Sequence, residues 1–210
     1  KSGQVLSTRV DLFAEPYTDK LRVLQDGLKP IPTAVVKEVV RTELCGPSGS
    51  LDELFSDFEE APLGCASIAQ VHRATLLDGR RVAVKVQRPG AKPLLLADVA
   101  NLKRFSKLLA DALPVDYYVV FSELGDVLLS ELDFLQEAQA MTKLGAAVSF
   151  APDGTPAEPP LRIPAAIPGL STTKVLVMDF VEGVSLNNLA EEAKKKGIEP
   201  GSPEAKILGS

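Results

Sequence analysis

Residues 61–87 read APLGCASIAQVHRATLLDGRRVAVKVQ, and this stretch decides the fold. Asp78-Gly79 separates two apolar runs, which predicts a two-residue hairpin turn between two strands. After the turn the residues alternate with the period of a half-buried strand, with valines at positions 82, 84 and 86. The alternation places Lys85 on the face opposite these valines. Because a lysine in an apolar strand is costly to bury unless an anion meets it, we expect an anion near Lys85.

A loop of small residues, GCASIAQ at positions 64–70, introduces this hairpin. A glycine-rich nucleotide loop reads G-x-G-x-x-G, so that bare backbone approaches the phosphates. Here alanines such as Ala66 and Ala69 occupy places where glycines are expected, and their methyl groups limit the approach of a phosphate. The order of small-residue loop, hairpin and V-A-V-K resembles the nucleotide-binding N-lobe of protein-kinase-like folds.

Two motifs together resemble the UbiB/aarF/ADCK family of atypical kinases. The loop is similar to the Ala-rich loop of that family, and residues 1–4, KSGQ, match its K-x-G-Q signature and precede a similar VLSTRVDLFAEPY run. The resemblance extends from Lys1 to near Glu182. It implies an α+β fold, a protein-kinase-like N-lobe with a small antiparallel sheet plus helices, preceded by a helical K-x-G-Q extension and without a C-lobe.

The resemblance divides the chain into three parts. Residues 1–48 are the helical K-x-G-Q extension, and residues 49–185 are the kinase-like N-lobe with a helical insertion. Residues 186–210 are the start of a C-lobe or a truncated tail. The resemblance also implies a nucleotide site in which Lys85 contacts phosphates and pairs with Glu137. The residues that it assigns to nucleotide binding are Ala66, Ser67, Ala69, Gln70, Lys85, Glu137, Met178, Asp179 and Val181. The last three stand where the hinge of a kinase would be, at the end of a buried strand, where backbone groups bond an adenine edge.

Three acidic side chains, Glu131, Asp133 and Glu137, lie in one predicted helix. Asp133 and Glu137 are four residues apart and would share a helix face, whereas Glu131 lies well around from both. By themselves these residues favour a solvated acidic face. The resemblance instead implies that Glu131 and Asp133 face a metal ion and the K-x-G-Q residues, which are Lys1, Gly3 and Gln4, with Gln70 joining that polar cluster.

Periodicity and stop signals predict the remaining elements. We expect helices at 15–26, 32–45, 92–113 and 122–148, a capping box at 50–53 and a further helix that begins near 186. Residues 151–171 contain six prolines and read as irregular, with 161–163 as a candidate short strand. The apolar run 174–181 predicts a central strand. The helix at 92–113 admits a membrane-surface interpretation, but Asp98 and Asp111 dilute its basic face and favour a packed helix.

Composition excludes several classes of protein. The chain has 210 residues, 45% of them apolar, and a formal net charge of −5, which argues against a nucleic-acid partner. No apolar run approaches the length of a membrane span. Cys45 and Cys65 have neither a disulfide framework nor metal-site spacing, so we interpret them as reduced thiols. The single histidine, His72, follows Gln70 in a strand, and we interpret it as structural.

Two catalytic motifs of kinases are missing from this sequence. The family's catalytic loop is rich in histidine, but the chain has only His72, and the triplet Asp-Phe-Gly does not occur. We therefore predict the nucleotide-binding part of a UbiB-like atypical kinase or ATPase that is inactive alone, with ATP or ADP as ligand and Mg²⁺ in the full-length protein.

The resemblance also implies a role in ubiquinone or other prenyl-quinone lipid metabolism, with membrane lipid or quinone-synthesis proteins as partners. It implies a mitochondrial, plastid or bacterial membrane-associated location. The alternative is a non-catalytic pseudokinase or scaffold module. A weaker third hypothesis, a small-molecule phosphotransferase of kinase fold, conflicts with the K-x-G-Q motif.

Overall fold

The computed structural model describes residues 29–108, 116–148 and 163–183. The K-x-G-Q residues, the helix predicted at 15–26 and the helix predicted near 186 lie outside these ranges. Within them the chain forms five strands and four α-helices, so the predicted α+β class with a small antiparallel sheet is confirmed. None of the helices in these ranges is long and apolar enough to cross a membrane.

The five strands form one antiparallel sheet. The strands are β1 (Phe55–Cys65), β2 (Ala69–Leu76), β3 (Arg81–Gln87), β4 (Ala166–Ser171) and β5 (Val175–Asp179), and their order is β1-β2-β3-β5-β4. β3 is the central strand, since Val84 pairs with His72 of β2 on one side and with Val177 of β5 on the other. The predicted strand at 174–181 is confirmed as β5, whose residues 175–177 are completely buried.

The helices lie before and within the sheet sequence. They are α1 (Thr33–Val40), which continues as a π-helical turn (Arg41–Cys45), α2 (Ala91–Leu108), α3 (Tyr117–Ser130) and α4 (Phe134–Val148). The predicted helix at 32–45 is confirmed as α1 and its π-helical turn. The predicted capping box is also present, because Ser50 and Glu53 cap a short 3₁₀ turn reciprocally.

Both faces of the sheet are covered, so β3 is buried on both sides. On one face the valines of β3 pack against Val36 and Val40 of α1. On the other face Leu176 and Ala69 pack against Phe134 of α4. The expectation of a half-buried β3 is therefore wrong, since Ala83 and Gln87 are each only 7% exposed. A central strand that is covered from both sides also buries the side chains that point away from the valine face.

The single helix predicted at 122–148 is two helices. α3 ends at Ser130 and α4 begins at Phe134, and the break at 131–133 allows both Leu132 and Phe134 to be buried. Asp133 caps α4, because its Oδ1 accepts a hydrogen bond from the amide of Leu135 at 3.0 Å. The amide of Phe134 donates to the carbonyl of Thr173 at 3.2 Å, which attaches the start of α4 to the sheet.

Two further predictions need correction. Residues 166–171, predicted as irregular, form the edge strand β4, where Pro168 is tolerated because an edge strand can lack one donor. The turn after β2 is longer than two residues: the amide of Gly79 donates to Leu76 at 3.0 Å, and the amide of Leu76 donates to Arg80 at 2.9 Å. Gly79 has φ 84°, a conformation that favours glycine.

The sequence analysis predicts no strand at the position of β1. The register of β1 against β2 shifts at several points, and these shifts break the two-residue alternation by which a strand is predicted.

α2 packs against α3, as the packed-helix interpretation predicted. Val99 of α2 lies against Gly125 of α3, both are buried, and a Cβ atom at Gly125 would lie 2.8 Å from Val99 Cγ1. Gly145 of α4 provides a contrast, since a Cβ atom there would meet nothing within 4 Å. The glycine at 125 therefore sets the close approach of these two helices.

Replacing Gly125 by alanine is expected to lower the free energy of unfolding by about 1 kcal/mol, because overpacking costs about 1–3 kcal/mol against a helix-propensity gain of at most ~1 kcal/mol. Gly145→Ala is the matched control, and we expect it to be neutral or stabilising. Urea denaturation of both variants measures the difference. Equal stabilisation by both substitutions would contradict the close packing at Gly125, and Val99→Ala should rescue Gly125→Ala.

Candidate nucleotide-binding site

Lys85 lies at the centre of the sheet face that α4 covers, and it meets an anion. Its Nζ is 2.7 Å from Oε1 and 2.6 Å from Oε2 of Glu137, so the two side chains form a two-pronged ion pair. The ammonium group also lies 4.7 Å from the centroid of the Phe134 ring. The expectations of an anion beside Lys85 and of a Lys85–Glu137 pair are both confirmed. The Lys85 side chain is 23% exposed and that of Glu137 is 37% exposed, so the pair is only partly shielded from solvent.

Three contacts place Glu137 opposite Lys85. Asp133 caps α4, which puts Glu137 in the first turn of the helix. Phe134, three residues before Glu137 and so near it on the helix surface, is completely buried in the small core of this face. Gln87, next but one to Lys85 on the same face of β3, donates from Nε2 to the carbonyl of Leu132 at 2.9 Å. The strand that carries Lys85 therefore also holds the residues that start the helix of Glu137.

The Ala-rich loop joins β1 to β2 as a tight connection. The amide of Ala66 donates to the carbonyl of Ala69 at 2.8 Å, and Ser67 lies exposed at the tip. Ala69 is 2% exposed and its methyl group packs in the same small core as Phe134 and Leu176. The methyl at Ala69 thus stabilises the root of the loop, which a glycine could not do.

Gln70 lies on the opposite face from Lys85. It pairs with Val86, and its Oε1 accepts from the amide of Ile31 at 2.9 Å while its Nε2 donates to the carbonyl of Ile31 at 3.2 Å. The sheet therefore separates the Gln70 side chain from Lys85, and the expectation that this side chain joins a cluster with the acidic residues has no support in the geometry. The Gln70 side chain therefore lies on the wrong face of the sheet for the nucleotide contact that the resemblance implies.

His72 is structural, as predicted. It is completely buried, its Nδ1 lies 2.9 Å from the carbonyl oxygen of Glu59, and its Nε2 lies 2.9 Å from Nε2 of Gln70. A carbonyl oxygen only accepts, so Nδ1 carries the proton and Nε2 accepts from the amide of Gln70. The imidazole is therefore neutral in this arrangement, and both of its nitrogen atoms are occupied by structural hydrogen bonds.

The end of β5 presents Met178 to the Lys85 face. Met178 pairs with Ala83, and both contribute to the side of the sheet that α4 covers. Asp179 pairs with Val82, so its side chain belongs to the other face, and its Oδ2 accepts from the amide of Ala165 at 3.2 Å. The chain leaves the sheet after the amide of Phe180 donates to Arg81 at 3.3 Å. Val181 follows immediately, and its side chain is 36% exposed.

The two other acidic residues do not join Lys85. Asp133 caps α4 and does not share a helix face with Glu137, because it precedes the helix. Glu131 lies at the end of α3 and is exposed. Lys1, Gly3 and Gln4 lie outside the described residues. Within 29–108, 116–148 and 163–183, no group of three or more histidine, cysteine, aspartate or glutamate side chains is arranged to hold a metal ion.

Two further residues shape the site. Ala83, which the V-A-V-K pattern places beside Lys85, lies on the Lys85 face next to Met178, and its small side chain leaves room there. Sequence reasoning missed the second residue, Arg88. Arg88 follows β3 and donates to the carbonyl of Ala66 at 2.9 Å, and its amide donates to Ile68 at 2.8 Å. No sequence pattern predicts a side chain that bonds a backbone carbonyl in a loop more than 20 residues away.

The sequence also matches known proteins. A family model described as the ABC1 atypical kinase-like domain matches residues 23–202. The chain is 38% identical to the probable protein kinase UbiB of Edwardsiella ictaluri over 90% of its own length and 34% of the relative's. It is 35% identical to the chloroplastic protein ACTIVITY OF BC1 COMPLEX KINASE 8 of Arabidopsis thaliana over 90% of its own length and 24% of the relative's. The chain therefore spans about a quarter to a third of these relatives.

A solved structure shares the fold. The Rv3197–erythromycin complex from Mycobacterium tuberculosis contains a chain that is 31% identical to this one, with a TM-score of 0.63. The match covers 94% of this chain and 48% of that one.

Lys85 and Glu137 are expected to stabilise the fold jointly. A double-mutant cycle with Lys85→Met and Glu137→Gln should give a coupling energy of about 0.5–1 kcal/mol, because the pair is partly exposed to solvent. Urea unfolding of the four proteins measures this coupling. Additive effects of the two substitutions would show that the pair does not form in solution.

Proposed function

Since the chain belongs to the ABC1 atypical kinase-like family, we propose that it is the nucleotide-binding part of a UbiB-like atypical kinase or ATPase and binds ATP or ADP on the Lys85 face. The observation that carries this proposal is the Lys85–Glu137 ion pair beside the Ala-rich loop. In kinases the corresponding lysine holds the α- and β-phosphates and pairs with a helix glutamate. Family membership and this pair support the same assignment.

The pair prepares Lys85 for a phosphate. An ammonium group has three donors, and Glu137 accepts two of them, which leaves one for a phosphate oxygen. Glu137 and the Phe134 ring fix the position of the ammonium, so little side-chain freedom is lost when a nucleotide binds. The exposed Ser67 at the loop tip offers a backbone N–H and a hydroxyl to the same phosphates.

The adenine would lie between β3 and the end of β5. The small Ala83 and the adjacent Met178 form an apolar surface on the Lys85 face, and the chain then leaves the sheet at Phe180. Backbone groups of Asp179 and Val181 provide a donor and acceptors for the adenine edge, a role that requires no particular side chain. Ala66 and Ala69 complete the nucleotide contacts in this proposal.

Phosphoryl transfer requires more than this sequence contains. The chain has no Asp-Phe-Gly triplet and only one histidine, which is committed to structural hydrogen bonds. We therefore propose that the chain binds nucleotide without transferring a phosphoryl group by itself. Glu131, Asp133 and the K-x-G-Q residues Lys1, Gly3 and Gln4 would act with Mg²⁺ in the full-length protein, and the division of the chain at 48/49 and 185/186 belongs to the same proposal.

The proposed biological setting is that of the family. We propose a role in ubiquinone or other prenyl-quinone lipid metabolism, with membrane lipid or quinone-synthesis proteins as partners. Relatives include chloroplastic and bacterial proteins, which supports a plastid or bacterial location. The second candidate, a pseudokinase or scaffold module, is favoured by apolar side chains that α2 and α3 expose, among them Leu94, Phe105 and Val127, each more than half exposed.

Isothermal titration of ATP and ADP, with and without Mg²⁺, tests the nucleotide site. We expect saturable binding that Lys85→Met weakens about tenfold or more, because a charge-assisted hydrogen bond contributes about 1.5–3 kcal/mol. Lys37→Met is the matched control, since Lys37 forms an ion pair with Glu60 at 2.5 Å on the other side of the sheet. Circular dichroism establishes that all proteins are folded. Absence of binding by the folded chain, or equal loss in both variants, would favour the scaffold module.

A further inference from the structure

The side chain of Arg88 bonds two carbonyl groups from distant parts of the chain. Its Nε donates to the carbonyl oxygen of Ala66 in the Ala-rich loop at 2.9 Å. Its Nη2 donates to the carbonyl oxygen of Lys29 at 2.9 Å, across 59 residues of sequence. Lys29 lies directly after residues 1–28, which contain the K-x-G-Q signature. One guanidinium group therefore connects the loop to the segment that leads away from that signature.

Both connected segments are also held elsewhere. The backbone amide and carbonyl of Ile31 both bond the side chain of Gln70. In the loop, Ile68 accepts from the backbone amide of Arg88 at 2.8 Å, and Ala66 donates to Ala69. The segment 29–31 is thus fixed at its two ends by Arg88 and Gln70, and the loop is fixed at two of its carbonyls by Arg88.

An arginine suits this position for a physical reason. Its planar guanidinium presents donors in a fixed fork and stays charged at all relevant pH values. The bonds to the two carbonyls are charge-assisted and set the distance between them. A lysine is a single flexible point charge, so it cannot hold both carbonyl groups in one fixed geometry.

The contact with Ala66 also orients the loop. The C=O and N–H groups of one trans peptide point in opposite directions. Because the carbonyl of Ala66 points at Arg88, the N–H of Ser67 points away from it. Arg88 thereby keeps its own positive charge on one side of the loop and directs a backbone donor to the other.

We propose that Arg88 is a positioning residue that couples the Ala-rich loop to the segment 29–31, so that nucleotide affinity depends on how this segment is seated. Release of the segment removes one of the two carbonyls that hold the guanidinium in place and loosens the loop. The consequence for affinity rests on the proposed nucleotide site, whereas the coupling itself does not.

Amide hydrogen exchange of the chain without nucleotide tests the coupling. The amides of Ile31 and Ala66 are both hydrogen-bonded and report on the segment and the loop respectively. We expect Arg88→Met to raise the exchange rate at both amides together by about tenfold, because local opening becomes easier by about the free energy of one hydrogen bond. Exchange in α2 and α3 should not change. Arg88→Lys should fall short of restoring wild-type exchange at both amides.

Arg80→Met is the matched control, because Arg80 is an exposed arginine that pairs with Asp78 in the turn after β2. It should leave both amides unchanged. A rise at only one of the two amides, no rise at either, or a uniform rise across the whole chain would overturn the coupling.

Titration with ATP tests the consequence for binding. We expect Arg88→Met to weaken the affinity about tenfold and Arg80→Met to leave it within twofold of wild type. If exchange rises at both amides while the affinity is unchanged, the role of Arg88 in nucleotide binding is wrong. If the wild-type chain binds no nucleotide, the proposed function fails, and the exchange measurement still decides whether Arg88 couples the two segments.

Discussion

The structure depends on the burial of β3 from both sides. A central strand with helices over both faces can carry a polar side chain only where that side chain finds a partner, since an unpaired buried polar group costs several kcal/mol. β3 carries two such residues on one face, Lys85 and Gln87. Glu137 neutralises the first, and the carbonyl of Leu132 accepts from the second. These two requirements place the start of α4 against the sheet.

This constraint explains why the helical region is broken. A continuous helix through 131–133 would keep its backbone groups within the helix and could not place Leu132, Phe134 and Glu137 against β3 at once. The break frees the carbonyl of Leu132 for Gln87 and the amide of Phe134 for Thr173. Asp133 then caps the new helix. The three acidic residues, which by sequence alone favour one solvated face, therefore have three different roles. Glu131 ends α3, Asp133 caps α4 and Glu137 pairs with Lys85.

On the opposite face of the sheet, the buried polar side chains also find partners, here through hydrogen bonds without an ion pair. Gln70 and His72 are completely buried, and their hydrogen bonds extend from Glu59 of β1 to the backbone of Ile31. The chain before α1 is thereby attached to β2, the strand that follows the Ala-rich loop. Arg88 adds a second attachment between the same two regions. The loop, the central strand and the segment that follows the N-terminal residues thus form one connected unit.

The sequence alone determined the elements whose information is local. Alternating valines predicted β3, the apolar run 174–181 predicted β5, and small residues at 64–70 marked the connection in which residues 66–68 lie between β1 and β2. Strand period and loop composition are properties of neighbouring residues, so a local pattern can reveal them. Motif order predicted the Lys85–Glu137 pair. Only the tertiary structure decided that Gln70 faces away from Lys85, that Asp133 is a cap, that residues 166–171 form an edge strand and that Arg88 holds the loop. Each of these depends on which face of the sheet, or which distant carbonyl, a side chain meets. That is set by strand order and packing across the sheet, which no local pattern records.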